Sequence, residues 1–167
     1  SGSYLVELVD LLTEEGHPVP GIFRLLSEAI ELLRSGPATG TFLRAFELQL
    51  LCDAGYEPQL LSCARCHRAL GPKDRASMDP FYHAVACGGC ARVGESLVPI
   101  EFETLRLLDS LKTLALSKAR ALRPSTHAAT LASRAVGLLI APHLKRPLRS
   151  LSMIAAIASP DDTQRAG

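Results

Sequence analysis

Tryptophan is absent from the 167 residues, and aromatic side chains make up only 5% of them. So few rings argue against an interface built on stacked bases. No apolar run approaches the roughly 18 to 20 residues a membrane-spanning helix requires, and no basic-then-apolar leader opens the sequence. A soluble, cytoplasmic protein with no membrane partner is expected. The chain also lacks an HExxH pair, a phosphate-cradling glycine loop and a paired-carboxylate motif, and its histidines, His17, His67, His83, His127 and His143, are scattered. No nucleophile with a partnered base assembles from local spacing, so no catalytic residue is assigned and an enzyme is not expected.

Acidic residues are missing from one stretch altogether. Between Ser110 and Pro160 stand Lys112, Lys118, Arg120, Arg123, Arg134, Lys145, Arg146 and Arg149, with no Asp or Glu. Residues 1–60 are the reverse, with Glu7, Asp10, Glu14, Glu15, Glu28, Glu31, Glu47, Asp53 and Glu57 against Arg24, Arg34 and Arg44. The net charge of +1 therefore hides a strong polarity. Two readings follow: a positive face that attracts nucleic acid or an acidic peptide, or two halves that attract each other within the fold. On the first, the candidate contacts are Lys118, Arg120, Arg123, Arg134, Lys145, Arg146 and Arg149.

Four of the five cysteines fall into two turns, Cys63-Ala64-Arg65-Cys66 and Cys87-Gly88-Gly89-Cys90, separated by residues 67–86. Two such turns are suited to close a tetrahedral thiolate shell around one Zn²⁺, and a full shell leaves no open position for catalytic water, which makes the metal structural. Gly88-Gly89 is expected to let the second turn approach the metal without Cβ crowding. Two disulfides would suit a small secreted domain rather than this long apolar chain, and a thioredoxin-like redox motif needs only one pair. His67 and His83 lie close enough to substitute for a cysteine but are expected to be bystanders. Cys52 reads as a small apolar core residue.

Apolar residues repeat at helical spacing over residues 4–15, from about Pro20 to Ser35, from about Thr41 to Ala54, over 101–116, and from about Ser125 to Ile140, with Gly36-Pro37 and Gly55 as stops. Ser125 or Thr126 would cap the last of these. Pro142 should end or kink it and leave His143–Ser150 as a turn presenting Lys145, Arg146 and Arg149, ahead of a short apolar stretch, Leu151–Ala158. Between Pro58 and about Ile100 the helical period disappears amid Gly71-Pro72, Asp79-Pro80 and Pro99, and Arg75–Val85 has the length of a hairpin. The fold class is thus mainly α: a helical domain with an inserted four-cysteine, zinc-ribbon-like module. The expected organisation is a first helical segment at 1–58, the zinc-binding insert at 59–99, a second helical segment at 100–160 packing with the first, and a loose tail at 161–167.

Three segments in this order, Tyr4-Leu5-Val6-Glu7-Leu8-Val9-Asp10, Phe46-Glu47-Leu48-Gln49-Leu50-Leu51 and His143-Leu144-Lys145-Arg146-Pro147-Leu148-Arg149-Ser150, with the four-cysteine insert between the last two, resemble the RecO family of bacterial recombination mediators. The resemblance covers nearly the whole chain. It implies binding of single- and double-stranded DNA, annealing of complementary strands, partnership with RecR and with the acidic C-terminal tail of single-stranded DNA-binding protein, and loading of RecA, in the bacterial cytoplasm at the nucleoid. Family members begin with an OB-fold, whereas this sequence starts at the helical part, so a fragment is expected. Met78-Asp79-Pro80 and Tyr82-His83-Ala84 depart from the family's usual insert. An unrelated zinc-ribbon nucleic-acid-binding or regulatory module would use the same cysteines.

Overall fold

The computed structural model describes residues 2–14 and 19–149. The stretch Leu151–Ala158, the tail at 161–167 and His17 lie outside the described residues. Helix α1 (Gly2–Leu12) and helix α2 (Pro20–Ser35) put Leu5, Leu8, Ile22, Leu25 and Ala29 into the core, while Ile30 of α2 is exposed. Proline at the first position of α2 has no N–H to lose there, and the helix stops ahead of Gly36. Helix α3 (Gly40–Asp53) is capped by Thr39, whose hydroxyl accepts from the Phe42 N–H. It is buried nearly all round, with every residue from Thr41 through Leu48 buried, and is the central element of the helical part.

A polar linkage crosses this core. Glu47 Oε1 accepts from the Tyr4 hydroxyl and from Arg44 Nη2, both at 2.5 Å, and Arg44 Nη1 donates to Ser133 Oγ at 2.5 Å. These bonds tie α1 and α3 to helix α6 (Thr126–Ile140). Burial pushes the Glu47 carboxyl up from its ordinary range, against the pull of Arg44 and Tyr4.

The second half contains one helix more than the periodicity predicts. Helix α4 ends early (Phe102–Leu111) and a short helix α5 (Leu116–Ala121) follows. Leu105, Leu108, Leu111 and Leu114 are spaced by three, and at about 100° per residue the fourth stands about half a turn away from the first. A straight helix would swing Leu114 off the core face. Instead, Gln49 Nε2 of α3 donates to the Leu111 and Leu114 carbonyls, at 3.0 and 2.8 Å, and stops the helix there. Ser125 caps α6 by accepting from the Ala128 N–H, as expected, and a 3₁₀ turn (Ala141–His143) follows it across Pro142.

Strands β1 (Gln59–Cys63), β2 (Ala76–Asp79), β3 (Ala84–Cys87) and β4 (Val98–Ile100) form a sheet in the order β1-β3-β2-β4. β2 is antiparallel to both β3 and β4, and β1 runs parallel to β3. Asp79 pairs with Ala84, so the β2–β3 hairpin turns through Pro80, Phe81, Tyr82 and His83. Leu60, Leu70, Met78 and Val85 of this sheet region belong to the same apolar cluster as Leu5, Phe42, Phe46 and Leu139 of the helices.

Candidate metal centre and cationic surface

The end of β1 leads into the first cysteine turn and the end of β3 into the second, and the parallel pairing of these strands brings the two turns together. The four sulfurs of Cys63, Cys66, Cys87 and Cys90 lie within 4.8 Å of one another, with Cys66 and Cys87 at 3.9 Å. A tetrahedral thiolate site with metal–sulfur bonds of about 2.3 Å has sulfur–sulfur edges of about 3.8 Å, so the four positions are compact enough to share one ion. All five cysteines are free thiols. Among the described residues the cluster holds no histidine: His67 stays exposed, and His83 faces His143 instead.

Backbone amides tune the sulfurs. The Cys87 N–H donates to Cys63 Sγ at 3.3 Å. Burial opposes ionisation of Cys63, but backbone N–H groups of Cys66, Cys87 and Arg65 outweigh it and bring the thiol down to about 6. Cys87 is lowered too: burial opposes its ionisation, and contacts from Cys90 and Arg68 overcome it. Cys90 is pushed up to about 12 by its sulfur contacts with Cys87 and Cys66. Cys63 and Cys87 thus give up a proton more readily than an ordinary thiol and Cys90 less so, and a bound dication would displace what remains.

Cations surround this concentration of negative charge. Arg65, inside the first turn, donates to the Cys90 carbonyl of the second at 2.5 Å and grips Glu95 with both terminal nitrogens, at 2.9 and 2.8 Å. Glu95 Oε2 in turn accepts from the Arg92 N–H at 2.9 Å, closing a clasp across the two turns. Arg68 pairs with Asp74 at 2.9 Å, and Asp74 also accepts from the Gly71 N–H at 2.7 Å. At Gly88 the close neighbour is Arg75. A Cβ there would come within 3.1 Å of the Arg75 Cβ, whereas Gly89 faces open space.

The cations of the acid-free stretch divide into two groups. Several turn inward: Lys112 pairs with Glu57 and Asp109. Arg120 Nη1 donates to the Leu32 carbonyl at 2.5 Å and to Ser35 Oγ at 3.2 Å, closing the end of α2. Arg123 bonds the carbonyls of Arg120 and Leu122. In the turn after α6, Lys145 donates to the Thr13 carbonyl, Arg146 pairs with Asp10 at 3.2 Å, and the Arg149 N–H donates to Glu7 Oε1. Attraction between the halves therefore accounts for part of the charge polarity. Lys118 and Arg134 remain exposed, with no ion pair among the described residues. Arg134 stands beside a groove of about 420 Å³ between β4 and α6, lined by Met78, Ile100, Leu131, Ala135 and Leu138. Half of this groove belongs to the cysteine module, which no local sequence signal marks.

Among the described residues no helix is long and apolar enough to cross a membrane. The family model for the C-terminal part of recombination protein O matches residues 1–152. The chain is 38% identical over 157 residues to the DNA repair protein RecO of Geobacter sulfurreducens, covering 92% of this chain and 60% of that protein. It is 36% identical over 159 residues to RecO of Myxococcus xanthus, covering 92% and 60%, and 32% identical over 153 residues to RecO of Pelotomaculum thermopropionicum, covering 91% and 58%. The chain thus spans about three-fifths of the length of these relatives. With three helices leading into a four-cysteine sheet module, three more helices behind it, and a family match that runs almost end to end, the chain belongs to the RecO family of DNA repair proteins, in its C-terminal part.

Proposed function

We propose that this chain is the C-terminal part of a non-catalytic mediator of DNA repair and recombination, with one structural Zn²⁺ held by Cys63, Cys66, Cys87 and Cys90. In this reading the whole protein binds single- and double-stranded DNA, promotes annealing, and helps load RecA with RecR onto strands covered by single-stranded DNA-binding protein, in the bacterial cytoplasm at the nucleoid. The observation that carries the zinc assignment is the donor set: four sulfurs within 4.8 Å, with Cys63 made more acidic by backbone N–H groups and Arg65 and Arg68 alongside. Four thiolates select zinc over oxygen-loving cations. They also fill the coordination shell, so the ion's role is to hold the two turns together.

Two surfaces suit the partners of such a mediator. The groove beside Arg134 has apolar walls and a cation at its rim, which is what an acidic peptide with an apolar end requires. Glu101 also reaches this groove, but it pairs with His127 at 3.2 Å. DNA phosphates would meet Lys118, Arg134 and the outer edges of Lys145, Arg146 and Arg149. If roughly three to five phosphates are neutralised, the log-log salt slope on single strands is about −2 to −3.5. The test is titration of the acidic tail peptide and of labelled single-stranded DNA into the folded chain at several salt concentrations. Saturable tail binding that weakens with salt and is lost in Arg134→Glu supports the groove; no tail binding at low salt sinks it. A salt-independent or absent DNA interaction sinks the phosphate reading for this part of the protein.

A further inference from the structure

We propose that the β2–β3 loop is a base-stacking platform for single-stranded nucleic acid, with Phe81 and Tyr82 as the stacking rings and Lys145 and Arg146 as neighbouring phosphate contacts. This inference rests on the DNA-binding reading above and places part of that binding on a surface. The chain has eight aromatic residues, three Tyr and five Phe, yet Phe81 is 69% and Tyr82 81% exposed, side by side at one hairpin tip. Phe42 and Phe46, by contrast, are fully buried. Two adjacent rings left in water contribute nothing to the core, so their placement calls for another explanation.

The loop is held rigid without them. Asp79 Oδ1 accepts from the Phe81 N–H at 3.1 Å and the Tyr82 N–H at 3.4 Å, fixing the first leg, and Pro80 is buried beneath it. On the other leg His83 adopts a left-handed backbone, φ 51°, which a non-glycine residue seldom holds. Three contacts keep it there. Its carbonyl accepts from the Gln59 N–H at 2.8 Å, its Nε2 lies 2.6 Å from Nε2 of His143, and the Tyr56 ring lies against its own, with centroids 5.7 Å apart. A strained residue pinned from three sides, next to two presented rings, is the kind of local cost that persists at a working surface.

The same contacts bring cations close. Lys145 follows His143 by two residues, so its Cα lies within about 7 Å of the His143 Cα, and Arg146 is next along the chain. Both side chains remain exposed, although Lys145 touches the Thr13 carbonyl and Arg146 pairs with Asp10. The loop's one carboxylate, Asp79, is occupied by the loop's own N–H groups. Flat π-faces on this loop, and cations on the segment to which its His83 is joined, match the bases and phosphates of an unpaired strand, and a duplex hides the base faces that such rings need. The scarcity of aromatics in the sequence therefore does not exclude stacking, because two of the few rings are placed together where a base could reach them.

The experiment is fluorescence anisotropy of the zinc-loaded chain with labelled oligo-dT, with an abasic strand of the same phosphate count, and with a duplex. The wild-type chain is expected to bind oligo-dT more tightly than the abasic strand. Phe81→Ala/Tyr82→Ala should weaken oligo-dT about tenfold or more while leaving the abasic strand unchanged, since each lost stack is worth about that much. Phe81→Leu/Tyr82→Leu keeps the loop apolar but removes the π-faces and should behave like the alanine pair. Unchanged melting temperature and zinc content show that both variants fold. Equal binding of dT and abasic strands by wild type, or unchanged dT affinity in both variants, overturns the platform and leaves phosphate binding standing. Absence of any nucleic-acid binding overturns both readings. Unchanged dT affinity with loss of self-association in sedimentation would make the tip a contact between copies and equally overturn the proposal.

Discussion

The helical part and the cysteine module solve the same problem with different materials. In the helices, Leu5, Leu8, Phe42, Phe46, Leu50 and Leu108 are all fully buried, and a row of such side chains on each element suffices to hold them. The module offers only Leu60, Leu70, Met78, Val85 and a few small residues to the core, and its strands are three to five residues long. Sulfur and guanidinium do there what leucine does elsewhere. The difference teaches that the module has little apolar packing to hold it and, on the proposed zinc reading, leans on its sulfur cluster and ion pairs, while the helical fold rests on shape. Because one apolar cluster runs through both, damage to either should be felt in the other, but with different signatures.

The comparison can be broken most severely at the metal. Cys63→Ser/Cys66→Ser should abolish zinc binding by elemental analysis, and since structural zinc contributes on the order of 10 kcal/mol to small metal-folded modules, the module should lose its order while far-UV circular dichroism keeps most of its helical signal. Retained stoichiometric zinc in the double variant would contradict the ligand set. Phe46→Ala tests the other material. It should cost about 3 to 5 kcal/mol in denaturant unfolding while leaving zinc content at one per folded chain, since Phe46 lies in α3 rather than in the module.

The junction between the two parts should respond to acid. His83 and His143 face each other through their Nε2 atoms at 2.6 Å, a contact that requires at least one neutral ring. Burial lowers both pKa values below the ordinary 6.5, and for His143 the neighbouring His83 lowers it further. Two groups act the other way on His83: the Leu139 backbone and Asp79 both favour its charged form. With folded pKa values depressed, the unfolded chain binds more protons below about pH 6.5, so stability is full above that pH and declines as pH falls through it. The wild-type melting temperature should therefore drop more between pH 7.5 and 5.5 than that of His143→Gln. Parallel melting curves would remove the pair from the pH response. The smallest effect is expected at the exposed clasp on α1: Arg146→Ala, which breaks the pairing with Asp10, should cost only about 0.2 to 1 kcal/mol, and less at high salt.

Features settled by near neighbours were legible in the sequence. Pro20 and Gly36 bracket α2, Ser125 caps α6, and the two cysteine turns come together as one cluster because the strands need only bring them side by side. Features settled across the chain were not. The stop after Leu111 is imposed by Gln49, 62 residues earlier. The contacts of Lys145 and Arg146 are with Thr13 and Asp10, 132 and 136 positions away, so the sequence shows their charge but not its partners. The contact of His83 was hidden for the same reason: local spacing made it a bystander to the cysteines and said nothing of its partner His143, 60 residues on.

Gln49 has a consequence for the order in which the chain takes shape. Its amide serves two carbonyls at the end of α4, and the turn into α5 is made there. As the chain emerges during synthesis, α3 and its amide exist well before Leu111 and Leu114 do. The later helix thus meets a finished boundary rather than having to find one, and a Gln49→Glu change, by setting an acceptor against two acceptors, would leave that boundary unmarked while the helix was being made.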